Sequence, residues 1–291
     1  MLLVKERLYF MNKFIPLLFL FIGLTTCVSA QSGTFNPKEP NNGNRGIVYD
    51  RETAFDLTLL GNGYEFGLNI GRLKTYYRTE YFHFGIGELK HNREFKNRDG
   101  IVGGGTSRGL NNRSYVYGKQ NNLYTLRAGY GIKRYYTEKA RKKGLAVGIS
   151  YEGGPTIGLL KPYYLEINRT EVGGPTNPNI EKFNGDNADF FLNTDRIFGA
   201  APALNGFSEI KIKPGIHLSG AVHFDWGAFD QYVKAVEVGI AADIFFSDIP
   251  ILIDDAEYNN FGNTVSILPE NVKNRPYFLN LYISFQLGKR Y

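Results

Sequence analysis

Residues 209–226, Glu-Ile-Lys-Ile-Lys-Pro-Gly-Ile-His-Leu-Ser-Gly-Ala-Val-His-Phe-Asp-Trp, constrain this chain more than any other stretch. The even positions hold Ile210, Ile212, Ile216, Leu218, Val222, Phe224 and Trp226, interrupted by Pro214 and Gly220. The odd positions hold Glu209, Lys211, Lys213, Gly215, His217, Ser219, Ala221, His223 and Asp225. Side chains on a strand alternate between faces, so the pattern is one strand with an apolar and a polar side. Its length is about three times that of an ordinary strand. A strand of this kind suits a wall with lipid on one side and a polar lumen on the other.

Residues 1–30 read as a signal peptide. Lys13 supplies a basic start, Phe14–Leu24 an apolar stretch, and Val28-Ser29-Ala30 a small-residue cleavage site before Gln31. Met11, directly ahead of Asn12-Lys13, reads as the true start. The apolar stretch is shorter than the about twenty residues a spanning helix needs. Leu24-Thr25-Thr26-Cys27 has the outline of a lipoprotein box, so lipidation of Cys27 stands as an alternative. Cys27 is the single cysteine, and cleavage after Ala30 leaves a mature chain without thiol or disulfide chemistry. Residues 31–46, rich in Pro, Asn and Gly, read as a flexible tether.

Beyond the leader, no run of apolar residues reaches the length of a transmembrane helix. The chain nevertheless carries 22 phenylalanines, 20 tyrosines and 34 glycines. Alternating lipid-facing and lumen-facing positions average to such a composition. The net charge of +6 is scattered along the chain and does not form a nucleic-acid footprint.

Eight strands can be marked by alternation: 53–60, 64–73, 77–90, 121–136, one beginning at Leu145, the 209–226 segment, 232–246 and 277–291. In the fifth, Gly153-Gly154-Pro155 suggests a bulge, with the strand resuming through Ile157–Ile167. If that second part pairs separately, the count becomes ten. The expected fold is all-β: an antiparallel up-and-down transmembrane β-barrel over 47–291. Long connections at about 91–120, 168–208 and 247–276 alternate with short ones, as they do when long loops face outside and short turns face the periplasm. The first hairpin, at Gly61-Asn62-Gly63, is the one short outer link. The doublets Tyr76-Tyr77, Tyr135-Tyr136, Tyr163-Tyr164 and Phe245-Phe246 fall near strand ends, where aromatic girdles sit.

With these strands marked, the chain resembles small bacterial outer-membrane barrels of the OmpA/OmpX-like class, and its composition resembles that of Bacteroidota proteins. The last strand, with Phe285, Leu287 and the terminal Tyr291 in phase, resembles the signal read by the barrel assembly machinery; Lys289 and Arg290 depart from it. The resemblance implies a location in the outer membrane, in contact with its lipid and lipopolysaccharide. It brings no function-bearing motif.

A barrel of eight strands has an interior that side chains fill. Parity places Asp56, Glu65, Asn69, His83, Arg127, Lys133, Glu152, His217, Ser219, His223, Glu237, Asp243, Asn280 and Gln286 there. Charges of both signs in so narrow a space should pair. His217-Leu218-Ser219 puts an imidazole and a hydroxyl on one face and resembles the His-x-Ser motif of PagL-type lipid A deacylases. Gly220 stands where that family has Asn, and Asp230 is the nearest downstream acid. His217, His223 and Asp225, with His83, could suggest a metal, but six residues of strand separate His217 from His223 by about 20 Å. Gly103-Gly104-Gly105 precedes no helix and is no phosphate loop. The first long loop is basic (Arg93, Lys96, Arg98, Arg108, Arg113). The later two are acidic (Glu171, Glu181, Asp186, Asp189, Asp195; Asp248, Asp254, Asp255, Glu257). Pairing between loops would give an ordered cap, and Asp254-Asp255 could hold calcium weakly, without an EF-hand spacing.

The expectation is therefore a non-enzymatic outer-membrane barrel with no catalytic, cofactor or metal residues. Its role is structural or accessory, with the outer loops as a platform for an envelope partner. A small-solute pore and a lipid A hydrolase using His217 and Ser219 are the alternatives.

Overall fold

A computed structural model of the chain describes residues 49–75, 77–97, 113–137, 144–169, 178–228, 230–254 and 272–291. The leader, Cys27, the tether, Tyr76, the Gly103–Gly105 run, Arg98, Arg108, Glu171, Asp255 and Glu257 lie outside the described residues.

Among the described residues, thirteen strands appear in chain order. They are β1 (Arg51–Leu60), β2 (Gly63–Thr75), β3 (Arg78–Leu89), β4 (Lys96–Asn97), β5 (Tyr115–Val116), β6 (Asn121–Tyr135), β7 (Ala146–Pro162), β8 (Tyr164–Asn168), β9 (Pro178–Lys182), β10 (Ile197–Ala200), β11 (Lys211–Asp225), β12 (Tyr232–Phe245) and β13 (Tyr277–Arg290). Eight of them close an antiparallel barrel in the order β1-β13-β12-β11-β7-β6-β3-β2. Each wall strand pairs with its sequence neighbours in the wall. The ring closes through β1 and β13, where Glu52 faces Arg290 and Leu60 faces Tyr282.

The face assignment follows the alternation strand by strand. Phe55, Phe66, Phe84, Leu126, Ile149, Leu218, Val238 and Phe285 are exposed on the outside, while Asp56, Glu65, His83, Arg127, His223, Glu237 and Gln286 are buried inside. Open apolar surface around a closed ring of paired backbone is what a bilayer requires, because no edge is left unbonded. This is a membrane-embedded barrel of the small, eight-stranded kind.

Ten wall strands and the bulge are both corrected. The β7 register runs unbroken through the suspected kink: Tyr130 faces Gly153 and Arg127 faces Thr156 on one side, and Leu218 faces Gly153 and Ile216 faces Pro155 on the other. Gly154 is there for close approach, since a Cβ would collide with the Ala128 carbonyl. The wall part of the strand ends at Pro162, opposite Asn121, the first residue of β6. On the β11 side it is matched as far as Lys211 opposite Leu160. Beyond those ends no wall neighbour remains, so residues 164–168 leave as β8 and form a separate sheet in the order β10-β8-β9.

The loop end is closed by two apolar clusters. The first lies at the mouth. Leu60, Leu89, Leu123, Leu160 and Phe245 point in from the wall and meet Ile249, Ile251, Leu252 and Val272 from the last loop. The second lies above it and draws on all three long loops: Tyr115 and Tyr117, then Leu165, Ile167, Phe191, Leu192 and Ile197, then Ile253. The expected ordered cap is thus present among the described residues. Two of the three fully described aromatic doublets split at a wall end, Tyr135 and Phe245 turning inward and Tyr136 and Phe246 outward, whereas Tyr163 and Tyr164 are both half-buried and lie beyond the wall, where β7 gives way to β8.

Candidate functional site: a closed polar lumen

The interior is stacked in layers. At the end where β1 begins and β13 finishes, Arg290 is held by Glu52 at 2.8 Å and by Asp225 at 2.9 Å. It also donates to the carbonyls of Gly227 at 2.5 Å and Asp230 at 3.1 Å. Lys133 reaches Gln286 at 2.8 Å and Glu52 at 3.4 Å, with its ammonium 4.9 Å from the Tyr81 ring centroid. The Tyr135 hydroxyl donates to Asp225 at 2.9 Å. With that hydrogen committed, Tyr135 can only accept from His223 Nε2, at 3.2 Å. His223 Nδ1 faces Glu237 at 2.8 Å. Both ring nitrogens therefore meet acceptors, the arrangement of an imidazolium.

A second network lies nearer the loop end. Arg127 forks onto Asp243 at 3.0 and 2.7 Å and also donates to Glu65. Asp243 takes His217 Nδ1 at 3.0 Å. His83 sits between Asn69 Oδ1 at 2.8 Å and Glu65 at 3.0 Å. Asn69 turns its amide nitrogen to Asp56 at 2.9 Å, so its oxygen is fixed toward His83, and that ring too carries two protons. Thr58 closes the chain: its hydroxyl, with one hydrogen to give, lies 3.3 Å from Asp56 and 2.8 Å from the Ser284 hydroxyl. Room for these groups comes from glycines on the same face: a Cβ at Gly67 would strike Asp56 and His83, and one at Gly85 would strike Glu65. Among the described residues, fixed positive charge in the lumen comes from Arg127, Lys133 and Arg290, against Glu52, Asp56, Glu65, Glu152, Asp225, Glu237 and Asp243. The protonated histidines make up part of that shortfall.

The space left between these side chains is a cavity of about 30 Å3 lined by both networks, enough for about two waters. Above it the apolar mouth is latched by the last loop. Gln120 N–H bonds the Ile251 carbonyl at 2.8 Å, and Ile253 N–H bonds the Gly118 carbonyl at 2.9 Å. Asn274 accepts from Ile251 N–H at 3.1 Å and donates to the Leu252 carbonyl at 2.8 Å. A buried pair, Lys119 to Glu94 at 2.8 Å, stiffens the same corner.

All fourteen residues placed in the lumen by parity face inward. His217 and Ser219 do share one face and line the same cavity, but His217 is committed to Asp243 and the Ser219 hydroxyl to Tyr282. His217, His223 and Asp225 are divided between the two networks, so they form no common metal site. Asp56, Glu65 and His83 bring ligand atoms within 4.8 Å of one another, a convergence missed from the sequence. Arg127 and Asn69 already hydrogen-bond to these residues, Arg127 to Glu65 and Asn69 to Asp56 and His83. Asn280 faces inward with its amide nitrogen unpartnered among the described residues. Tyr81, which alternation sets on the face of His83, is buried in the lumen. Glu52, Tyr135 and Arg290 also belong there and were not placed there from sequence. Parity carries all three, since Arg290 is in phase with Gln286 and Tyr135 with Lys133.

The cap has its own electrostatics. Arg113 of the first long loop reaches Glu166 of the second at 3.8 Å, and within the second Arg169 forks onto Glu181 at 2.5 and 2.8 Å. That hydrogen bonding holds the Glu181 carboxyl below its ordinary range. Lys182 and Tyr164 do the same for Glu209. Burial pushes the Tyr163 phenol up to about 12.

No family model and no curated protein matches this sequence. Among solved structures, the chain is similar to the N-terminal β-barrel domain of Pseudomonas aeruginosa OprF. The identity is 7%, 82% of this chain and 97% of that one are covered, and the TM-score is 0.29. A superposition that loose adds nothing to the closed eight-stranded barrel already described.

Proposed function

We propose that this protein is a non-enzymatic barrel of the outer membrane with a structural or accessory role. It presents its capped loop end outside the cell as a platform for an envelope partner. The observation that supports this reading is the double closure of the interior, an ion-paired lumen beneath an apolar mouth. A solute path has no room among these groups, and a hydrolase would need His217 and Ser219 to be free of their present partners. Insertion would be guided by the terminal Phe285, Leu287 and Tyr291, and the wall would lie against outer-membrane lipid and lipopolysaccharide. The test has two arms. Purified protein in planar bilayers should give no steady conductance, and steady channels would replace the platform with a pore. Mild-detergent extraction of native outer membrane should recover the barrel with a stoichiometric protein partner; recovery as a lone species would remove the platform.

A further inference from the structure

The lipid-facing belt is lopsided. On β3 the outward apolar positions are Phe82, Phe84 and Ile86, bounded by Glu80 and Glu88. At a rise of about 3.3 Å per residue and a tilt of about 40°, those glutamates are about 20 Å apart along the membrane normal. On β11 the outward column runs from Trp226 up to Ile212. The same arithmetic gives about 35 Å. A barrel's lipid band is about 25 Å tall, and Trp226 suits its lower edge. The β11 side therefore carries apolar surface about 10 Å beyond what the hydrocarbon covers.

A built feature occupies that height. Ile212 lies beside Leu159 of β7, and the next outward residue of β7 is Lys161. Lys161 is buried although it points outward, because residues 201–210 fold down over it. Its ammonium donates to the Ala203 carbonyl and lies 4.4 Å from the Phe207 ring centroid. Two turns shape the segment, Asn205 N–H to Pro202 O at 3.0 Å and Glu209 N–H to Gly206 O at 3.2 Å. Gly206 has φ +87°, and a Cβ there would come within 2.9 Å of the Pro162 carbonyl. Tyr164 and Lys182 pin Glu209 at its far end. The result is a fixed lip on the outside of the wall with its apolar residues at the tip: Leu204 is 81% exposed and Phe207 54%, beside Ile212 at 68% and Phe246 at 70%.

We propose that this lip is a membrane-insertion element: Leu204 and Phe207 enter the acyl–headgroup boundary of the leaflet at the loop end. Its occupant is lipid, because the patch continues the lipid-facing column of β7 and β11 without a polar break on the β11 side. A rigid tip also loses little conformational freedom on insertion. The proposal rests on the membrane-embedded barrel and is independent of the accessory role. It predicts that the barrel sits deeper on its β7–β11 side than on its β3 side.

The test uses the full chain with Cys27→Ser and one new cysteine, Leu204→Cys, labelled with an environment-sensitive fluorophore. The protein is reconstituted in phosphatidylcholine vesicles brominated near the top of the acyl chain. Asp186→Cys, elsewhere in the cap, and Phe84→Cys, mid-belt, are the water and lipid references. Only protein that keeps the heat-shifted gel mobility of a folded barrel is read. The label at 204 should emit to the blue of the label at 186 and be quenched several-fold more by bromolipid than by aqueous iodide. A label at 204 that matches 186 in both quenchers overturns the proposal, as does protection seen in native membranes but absent from pure lipid, which would assign the lip to a protein partner.

Discussion

At the end where β1 begins and β13 finishes the barrel interior is filled by Arg290, Lys133, Glu52, Asp225 and His223. At the loop end it is filled by Leu123, Leu160, Phe245, Ile251 and Leu252. The first filling is costly to desolvate and stable only when every charge has its partner. The second gains steadily with each apolar group buried and tolerates imperfect fit. The polar layers should therefore fail abruptly when one group is removed, and the apolar mouth should fail gradually. The contrast also sets two fillings in series along the barrel, one of paired charges and one of apolar side chains.

The largest effect is expected from Arg127→Met, which strands Glu65 and Asp243 without their shared cation. A loss of about 3–5 kcal/mol should appear in urea unfolding from lipid vesicles. Adding Glu65→Gln and Asp243→Asn should return much of it, and a single-variant loss below about 1 kcal/mol would contradict the pairing account. Next is Ile251→Ala, in the centre of the mouth. The cap should open more easily by about 2–4 kcal/mol in amide exchange of residues 249–253. Conductance should stay at zero, because the charged layers below are untouched; channels in this variant would make the mouth the only seal. Asn274→Ala removes the clamp on Ile251 and Leu252. It should cost about 1–2 kcal/mol on the same exchange measurement while leaving the unfolding of the wall unchanged.

The smallest effect is one of pH. Glu181 and Glu209 are held below the ordinary carboxylate value of 4.5 by their hydrogen-bonded partners. Groups lowered on folding stabilise the fold above the unfolded value and lose that contribution as pH falls through the folded one. The protection factors of β8 and β9, taken relative to intrinsic exchange at each pH, should therefore fall below about pH 4.5. Because both carboxylates are near the surface the change should be modest, and Arg169→Gln should remove the Glu181 part. Protection factors that stay unchanged between pH 7 and pH 3 would count against this cap pairing.

Much of this was readable in residue order because a wall strand has a strict period. Once Leu57 and Phe66 are set facing lipid, Asp56 and Glu65 have only one place to go. The same logic could have placed Arg290 and Tyr135, which were taken for a departure at the terminus and a girdle ring. Pairing within the lumen was expected in kind but not in detail. Whether Arg127 meets Asp243 or Lys133 meets Glu52 depends on which strands lie across the barrel and at what height, and alternation is silent on both.

The sequence alone determined the wall strands' faces and the alternation of long and short links, since each follows from a two-residue period and local turn residues, but it left eight strands against ten open. Only the tertiary structure decided the ends. That 164–168 leaves the wall follows from where its neighbours stop, and that Ile249–Ile253 seals the mouth follows from contacts more than a hundred residues apart along the chain. The lip over Lys161 is likewise fixed by how a returning loop packs on a strand end. No local pattern encodes such meetings, because they depend on where distant segments arrive in space.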